Sequence, residues 1–162
     1  MKMKATIEEL RSRAQTGRSI YESAKYFRDL GIHLDSSLNN FYNFVKKIPY
    51  KEDRIGIEIV SRPGHMLGRS RFRIMRPKHI LGESPFREGI DCKKKAVLIS
   101  AWLEAHGVPY RLVAVSEKPS KKIHHVFPQA QIDGGWVNID ATYPYYQLFE
   151  GKPVTYGEVL SP

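Results

Sequence analysis

The side chains that could do chemistry in this chain are the single cysteine, Cys92, the adjacent histidines His124 and His125, and Asp140. A nucleophilic thiol needs a base within hydrogen-bonding reach and a third group to orient that base. Cys92 follows Asp91 at the head of an apolar stretch of helical character, where unpaired N–H groups and the helix dipole favour an anion. Such a position lowers a thiol below its free value of about 8.5. By itself a free cysteine is more often a packing residue. Lys93, Lys94 and Lys95 come next. Cations in a helix's first turn are misplaced unless an anion lies near, the thiolate or an acidic substrate being the candidates; otherwise the three form a solvated face.

The elements around these residues set their geometry. Asp133-Gly134, flanked by Ile123–Ile132 and Trp136–Asp140, reads as a two-residue hairpin turn between strands. Ile132 then pairs with Gly135, and Asp140 lies opposite Phe127. His125 becomes a diagonal neighbour of Asp140, about 7 to 8 Å away at the backbone and within reach of a side chain. Strand alternation puts His125, Phe127, Gln129, Gln131, Trp136, Asn138 and Asp140 on one face. Val126, Ala130, Ile132, Val137 and Ile139 take the other, with His124 pointing away from Asp140. Pro128 implies an edge strand or a bulge, and a slip of one residue would exchange the two histidines. Asp140-Ala141-Thr142 can also be read as a plain turn.

Further out, Asp91–His106 is apolar nearly all round and is stopped by Gly107 and Pro109, so it predicts a central buried helix. Tyr110–Val115 reads as a strand. Thr6 with Glu9 and Ser19 with Glu22 look like capping boxes, predicting short helices near 7–16 and 20–30 with Gly31 as a stop. Asp35 or Ser36 would cap a third helix carrying Leu38, Phe41, Tyr42, Val45 and Ile48 and ending before Pro49. Alternation in Ile55, Ile57 and Ile59, and in Phe72 and Ile74, predicts extended segments. Residues 76–89, broken by Pro77, Gly82 and Pro85, read as an ordered loop.

With 162 residues the chain fits one domain, and its composition is that of a folded globular protein. A lone cysteine excludes an internal disulfide and a thiolate zinc cluster. The N-terminus has no apolar signal region and the chain no membrane-spanning run, which predicts a cytoplasmic protein, or one associated with a virion, without a membrane partner. Lysine and arginine number 26 against 17 acidic residues, a formal charge of +9. That excess, with Arg69, Arg71, Arg73, Arg76, Lys78 and the triple lysine, suits an anionic partner, a nucleic acid or an acidic protein surface.

These stretches together resemble the transglutaminase-like superfamily. The resemblance rests on Gly89-Ile90-Asp91-Cys92, on Ala96 through Leu103-Glu104-Ala105-His106-Gly107-Val108-Pro109-Tyr110-Arg111-Leu112-Val113, on His125-Val126-Phe127, and on Gly135-Trp136-Val137-Asn138-Ile139-Asp140-Ala141-Thr142. It covers about residues 89–142. It implies an α+β, papain/transglutaminase-like fold, in which a central helix carrying the cysteine packs on an antiparallel sheet, with extra N-terminal helices. The expected division is a helical extension over 1–35, a core over 36–142 and a tail over 143–162. The implied catalytic residues are Cys92, His125 and Asp140, acting on a peptide or protein substrate, as a cysteine peptidase, an amidase or a transglutaminase, with no cofactor or metal. A catalytically silent binding protein on the same fold is the alternative. Relatives often carry acidic or small residues after the cysteine, where this chain has three lysines, and supply an upstream side-chain donor for the oxyanion, for which His79 is a weak candidate.

Overall fold

The computed structural model describes residues 2–26, 35–52, 74–116, 123–150 and 156–162, the first eleven of these as helix backbone. Its elements are α1 (Lys2–Ala24), α2 (Leu38–Lys47), α3 (Pro77–Gly82), α4 (Pro85–Glu88) and α5 (Cys92–Ala105), then β1 (Tyr110–Ser116), β2 (His125–Ile132), β3 (Gly135–Asn138) and β4 (Tyr156–Leu160). The four strands form one antiparallel sheet in the order β3-β2-β1-β4. The protein is therefore a mixed helix and antiparallel-sheet fold.

Helix α5 is the centre of the packing. Ala96, Val97, Leu98, Ile99, Ala101 and Leu103 are all buried, as an all-round apolar helix requires. α1, α2 and β2 surround it. Asp91 caps its start, Oδ1 accepting the Lys94 N–H at 2.9 Å. At its end Gly107 takes φ +66°. The Gly107 and Val108 N–H groups return to the Glu104 and Leu103 carbonyls, closing the helix in a Schellman motif.

The sheet follows local chemistry too. Asp133 and Gly134 both have positive φ, 51° and 80°, as a two-residue hairpin turn demands. The register pairs Ile132 with Gly135 and Gln129 with Asn138. Pro128 departs from expectation, since β2 is an interior strand and its register against β1 runs from Tyr110↔Ala130 to Val115↔His125 without a bulge. The Pro128 carbonyl accepts the Ile139 N–H at 2.9 Å. Its missing N–H thus faces the same side, just past the last residue of β3, where the ladder is ending.

Several expectations are corrected. The two short N-terminal helices are one helix, α1, which runs through Gly17. That glycine is a contact rather than a break: a Cβ there would stand 2.8 Å from Leu160 Cβ. Glu22 pairs with Arg18 along the helix at 3.1 Å instead of closing a capping box. Ser37, and neither Asp35 nor Ser36, caps α2, accepting the Asn40 N–H. Residues 76–89 fold as α3 and α4, each with a proline at its first turn, the position where proline's missing N–H is harmless. The stretch read as a C-terminal tail supplies β4, which pairs with β1. Tyr21 of α1 joins these strands, its hydroxyl donating to the Leu160 carbonyl and accepting the Leu112 N–H. The extended segments from Ile55 to Phe72, with Arg69, Arg71 and Arg73, and the stop at Gly31 lie outside the described residues. Among those described, no helix is long and apolar enough to cross a membrane.

Candidate active site

Cys92 is the first residue of α5 and is 6% exposed. Its approach is fixed by a short strip: the Ile90 N–H donates to Pro49 O and the Lys51 N–H donates to Ile90 O, in a parallel bridge between Tyr50 and Ile90. Gly89 makes this strip possible, because a Cβ there would stand 2.8 Å from Lys51 Cβ and 3.0 Å from Pro49 O.

The hairpin delivers His125 and Asp140 to each other. His125 Nε2 lies 2.7 Å from Asp140 Oδ2, with the two side chains 11% and 2% exposed. The Cys92 side chain is near enough to the imidazole to favour its charged form. With Nε2 committed to the carboxylate, Nδ1 is the nitrogen left for sulfur. Burial opposes charge on His125, but the Asp140 hydrogen bond, then Cys92, outweigh it and raise its pKa to about 9. His124 is exposed and its backbone N–H bonds to Val115 O. The cross-strand bond from Gln129 to Asn138, 2.8 Å, and that from Arg111 to Gln129, 2.9 Å, mark the same polar face.

Asp140 is held on both oxygens. Oδ1 accepts the Thr142 N–H at 3.1 Å and the Thr142 hydroxyl at 2.6 Å. Asp140-Ala141-Thr142 is thus a side-chain-closed turn and a histidine partner at once. The Asp140 carbonyl accepts the buried Tyr42 hydroxyl at 3.0 Å. Around the imidazole stand Phe127 at 5.5 Å and Tyr143 at 6.2 Å between centroids. Tyr143 in turn packs on Tyr50 and Tyr145. Burial first, and the charge available at Cys92 second, push the Tyr50 phenol above its ordinary range.

Two of the three lysines resolve differently from either sequence reading. Lys93 pairs with Asp91 at 2.6 Å, so the anion in that first turn is the helix cap itself. Lys95 is 2% exposed, and no part of a solvated face. Sequence reasoning missed Lys95, Tyr42 and Thr142 as parts of the site. The sequence signal for Lys95 was a cation followed at once by unbroken apolar helix, and for Thr142 the Asp-x-Thr spacing. His79, the weak candidate donor, is exposed on α3. Among the described residues no three His, Cys, Asp or Glu side chains gather as a metal site would need.

No protein-family model matches the sequence, and no curated protein matches it. Among solved structures, a protein from Cytophaga hutchinsonii assigned as a cysteine protease is similar over 78% of this chain and 37% of its own, with 14% identity and a TM-score of 0.40. The chain thus spans well under half the length of that protein.

Proposed function

We propose that the chain is a thiol-dependent acyl-transfer enzyme of papain/transglutaminase-like architecture, acting on a peptide or glutamine carboxamide through Cys92, His125 and Asp140. The observation that supports it is the imidazole bonded at 2.7 Å to a buried carboxylate, with a cysteine at a helix start close enough to favour the ring's charged form. This is the order nucleophile, base, orienter that thiol catalysis needs.

In this reading the Cys92 sulfur, its proton held by His125, attacks the carbonyl carbon. The carbon–oxygen π bond opens to an oxyanion, which the Cys92 backbone N–H at the helix start stabilises. Collapse breaks the carbon–nitrogen bond, and the leaving amine or ammonia takes the proton from His125. A thioester remains on sulfur. Water or an amine then attacks it, His125 accepting the proton and returning it to the sulfur. Water makes the protein a peptidase or amidase, and an amine makes it a transglutaminase. Asp140 keeps the ring turned and compensates its charge throughout.

Iodoacetamide alkylation of Cys92 followed against pH tests this. The parent should react at about pH 6 roughly tenfold or more faster than a free thiol, and His125→Ala should remove most of that advantage. A profile indistinguishable from that of a free thiol, unmoved by His125→Ala and Asp140→Ala, would sink the reading.

A further inference from the structure

Lys95 lies one helical turn after Cys92 on α5, 2% exposed, amid the apolar residues of the core. A buried ammonium is costly unless its donors are met, and the core has no need of one, since an aliphatic side chain would fill the place more cheaply. Its donors are met by main chain alone. Nζ reaches the carbonyl oxygens of Ile48 at 2.6 Å, Ala141 at 3.0 Å and Thr142 at 3.0 Å, with Lys46 O further off at 3.4 Å.

These carbonyls come from two segments that matter to the site. Lys46 and Ile48 close α2 and lead into Pro49–Lys51, the strip that bonds Ile90 two residues before Cys92. Ala141 and Thr142 belong to the turn that carries Asp140. Tyr42 adds a third tie, its hydroxyl reaching the carbonyls of Asp140 at 3.0 Å and Tyr146 at 3.1 Å. Three successive carbonyls, from Asp140 to Thr142, are therefore drawn inward towards α2 and α5. The Asp140 carboxylate is turned the other way, to His125 and Thr142. A turn gripped on its carbonyls has little freedom to rotate its carboxylate off the imidazole.

Taking the site as read above, we infer that Lys95 is a positioning residue. With Tyr42 it gathers the end of α2 and the Asp140–Thr142 turn onto the helix that carries Cys92, holding Asp140 in register with His125. It touches no reacting atom. The triple lysine after the cysteine thus acquires a use: its last member faces inward as a clamp. The charge of Asp140 favours the ammonium in return, against the burial that draws its pKa down to about 8.

The test compares the parent with Lys95→Met, which keeps length and apolar fill, with Tyr42→Phe, which deletes one hydroxyl, and with His125→Ala. Nitrogen-15 NMR of the His125 ring gives its titration midpoint, and alkylation against pH gives the reactivity of Cys92. In folded Lys95→Met the midpoint should fall by about one pH unit or more, with about a tenfold loss of alkylation advantage near neutrality. Tyr42→Phe should move both in the same direction by less. A folded Lys95→Met with the parental midpoint and profile overturns the inference. If Lys95→Met does not fold, Tyr42→Phe decides, an unmoved midpoint refuting the clamp and a lowered one supporting it. Should His125→Ala leave the alkylation profile unchanged, the nucleophile–base reading fails instead, while the His125 midpoint still reports whether the clamp acts on the His125–Asp140 pair.

Discussion

Replacing Gly89 by alanine should do disproportionate damage for one methyl group. Gly89 ends α4 at φ 77°, ψ 161°, a backbone region open essentially to glycine alone, where another residue costs on the order of 1–3 kcal/mol. The added Cβ would also stand 2.8 Å from Lys51 Cβ and 3.0 Å from Pro49 O. Relief requires Pro49–Lys51 to move, straining the two bridge hydrogen bonds between that strip and Ile90, each worth about 1 kcal/mol. The expected loss is roughly 3–5 kcal/mol, or a melting temperature about 10 °C lower for a chain of this size. Gly134 is the internal control: φ is similar at 80°, yet a Cβ there meets nothing within 4 Å. Gly134→Ala should therefore cost only the left-handed penalty, about 1–2 kcal/mol. Urea unfolding of both variants, with m-values checked for equality, measures the difference. If Gly89→Ala destabilises no more than Gly134→Ala, the close approach assigned to this glycine is wrong. Because the strip leads directly into Cys92, folded Gly89→Ala should also alkylate more slowly than folded Gly134→Ala.

The raised pKa of His125, from 6.5 to about 9, is a second testable quantity. A folded value above the unfolded one means stability fully present below about pH 6.5 and lost as pH climbs through about 9, amounting to at most about 3 kcal/mol. Lys95, whose pKa is drawn down to about 8, works in the opposite sense at higher pH, so the parent is compared with His125→Gln, which retains it. Their difference in unfolding free energy should shrink from about pH 6 to about pH 9.5, and a difference independent of pH would contradict the assigned charge. At the β4 edge of the sheet, Gly17→Ala should push α1 off β4, because its Cβ would meet Leu160 Cβ at 2.8 Å. We expect about 1–3 kcal/mol of destabilisation, relieved by Leu160→Gly, which removes the opposing Cβ, in a double-mutant cycle; strictly additive effects would refute the contact.

Parts of the site could be read without coordinates because they follow from short-range rules. The capped start of the helix at Asp91 and Cys92, its stop at Gly107, and the Asp133-Gly134 turn each depend on a few adjacent residues. Once that turn length is set, side-chain alternation carries the register outward, so that His125 rather than His124 reaches Asp140.

What sequence left open depends on segments distant along the chain. The break expected between residues 16 and 20 is absent, Gly17 lying inside α1 where Leu160 packs against it, and Tyr156–Leu160 becomes a strand only where β1 offers an edge and Tyr21 a pair of hydrogen bonds. Pro128 looks like an edge or bulge signal until β3 is seen to end beside it. Lys95 resembled its two neighbours as a surface cation; the carbonyls of Ile48, Ala141 and Thr142, each more than forty residues away, made it a buried clamp. Local spacing determined the hairpin and the helix start that present the candidate triad. Tertiary structure alone decided what holds that triad in place, because main-chain carbonyls belong to every residue and leave no mark in the sequence until folding brings a donor to them.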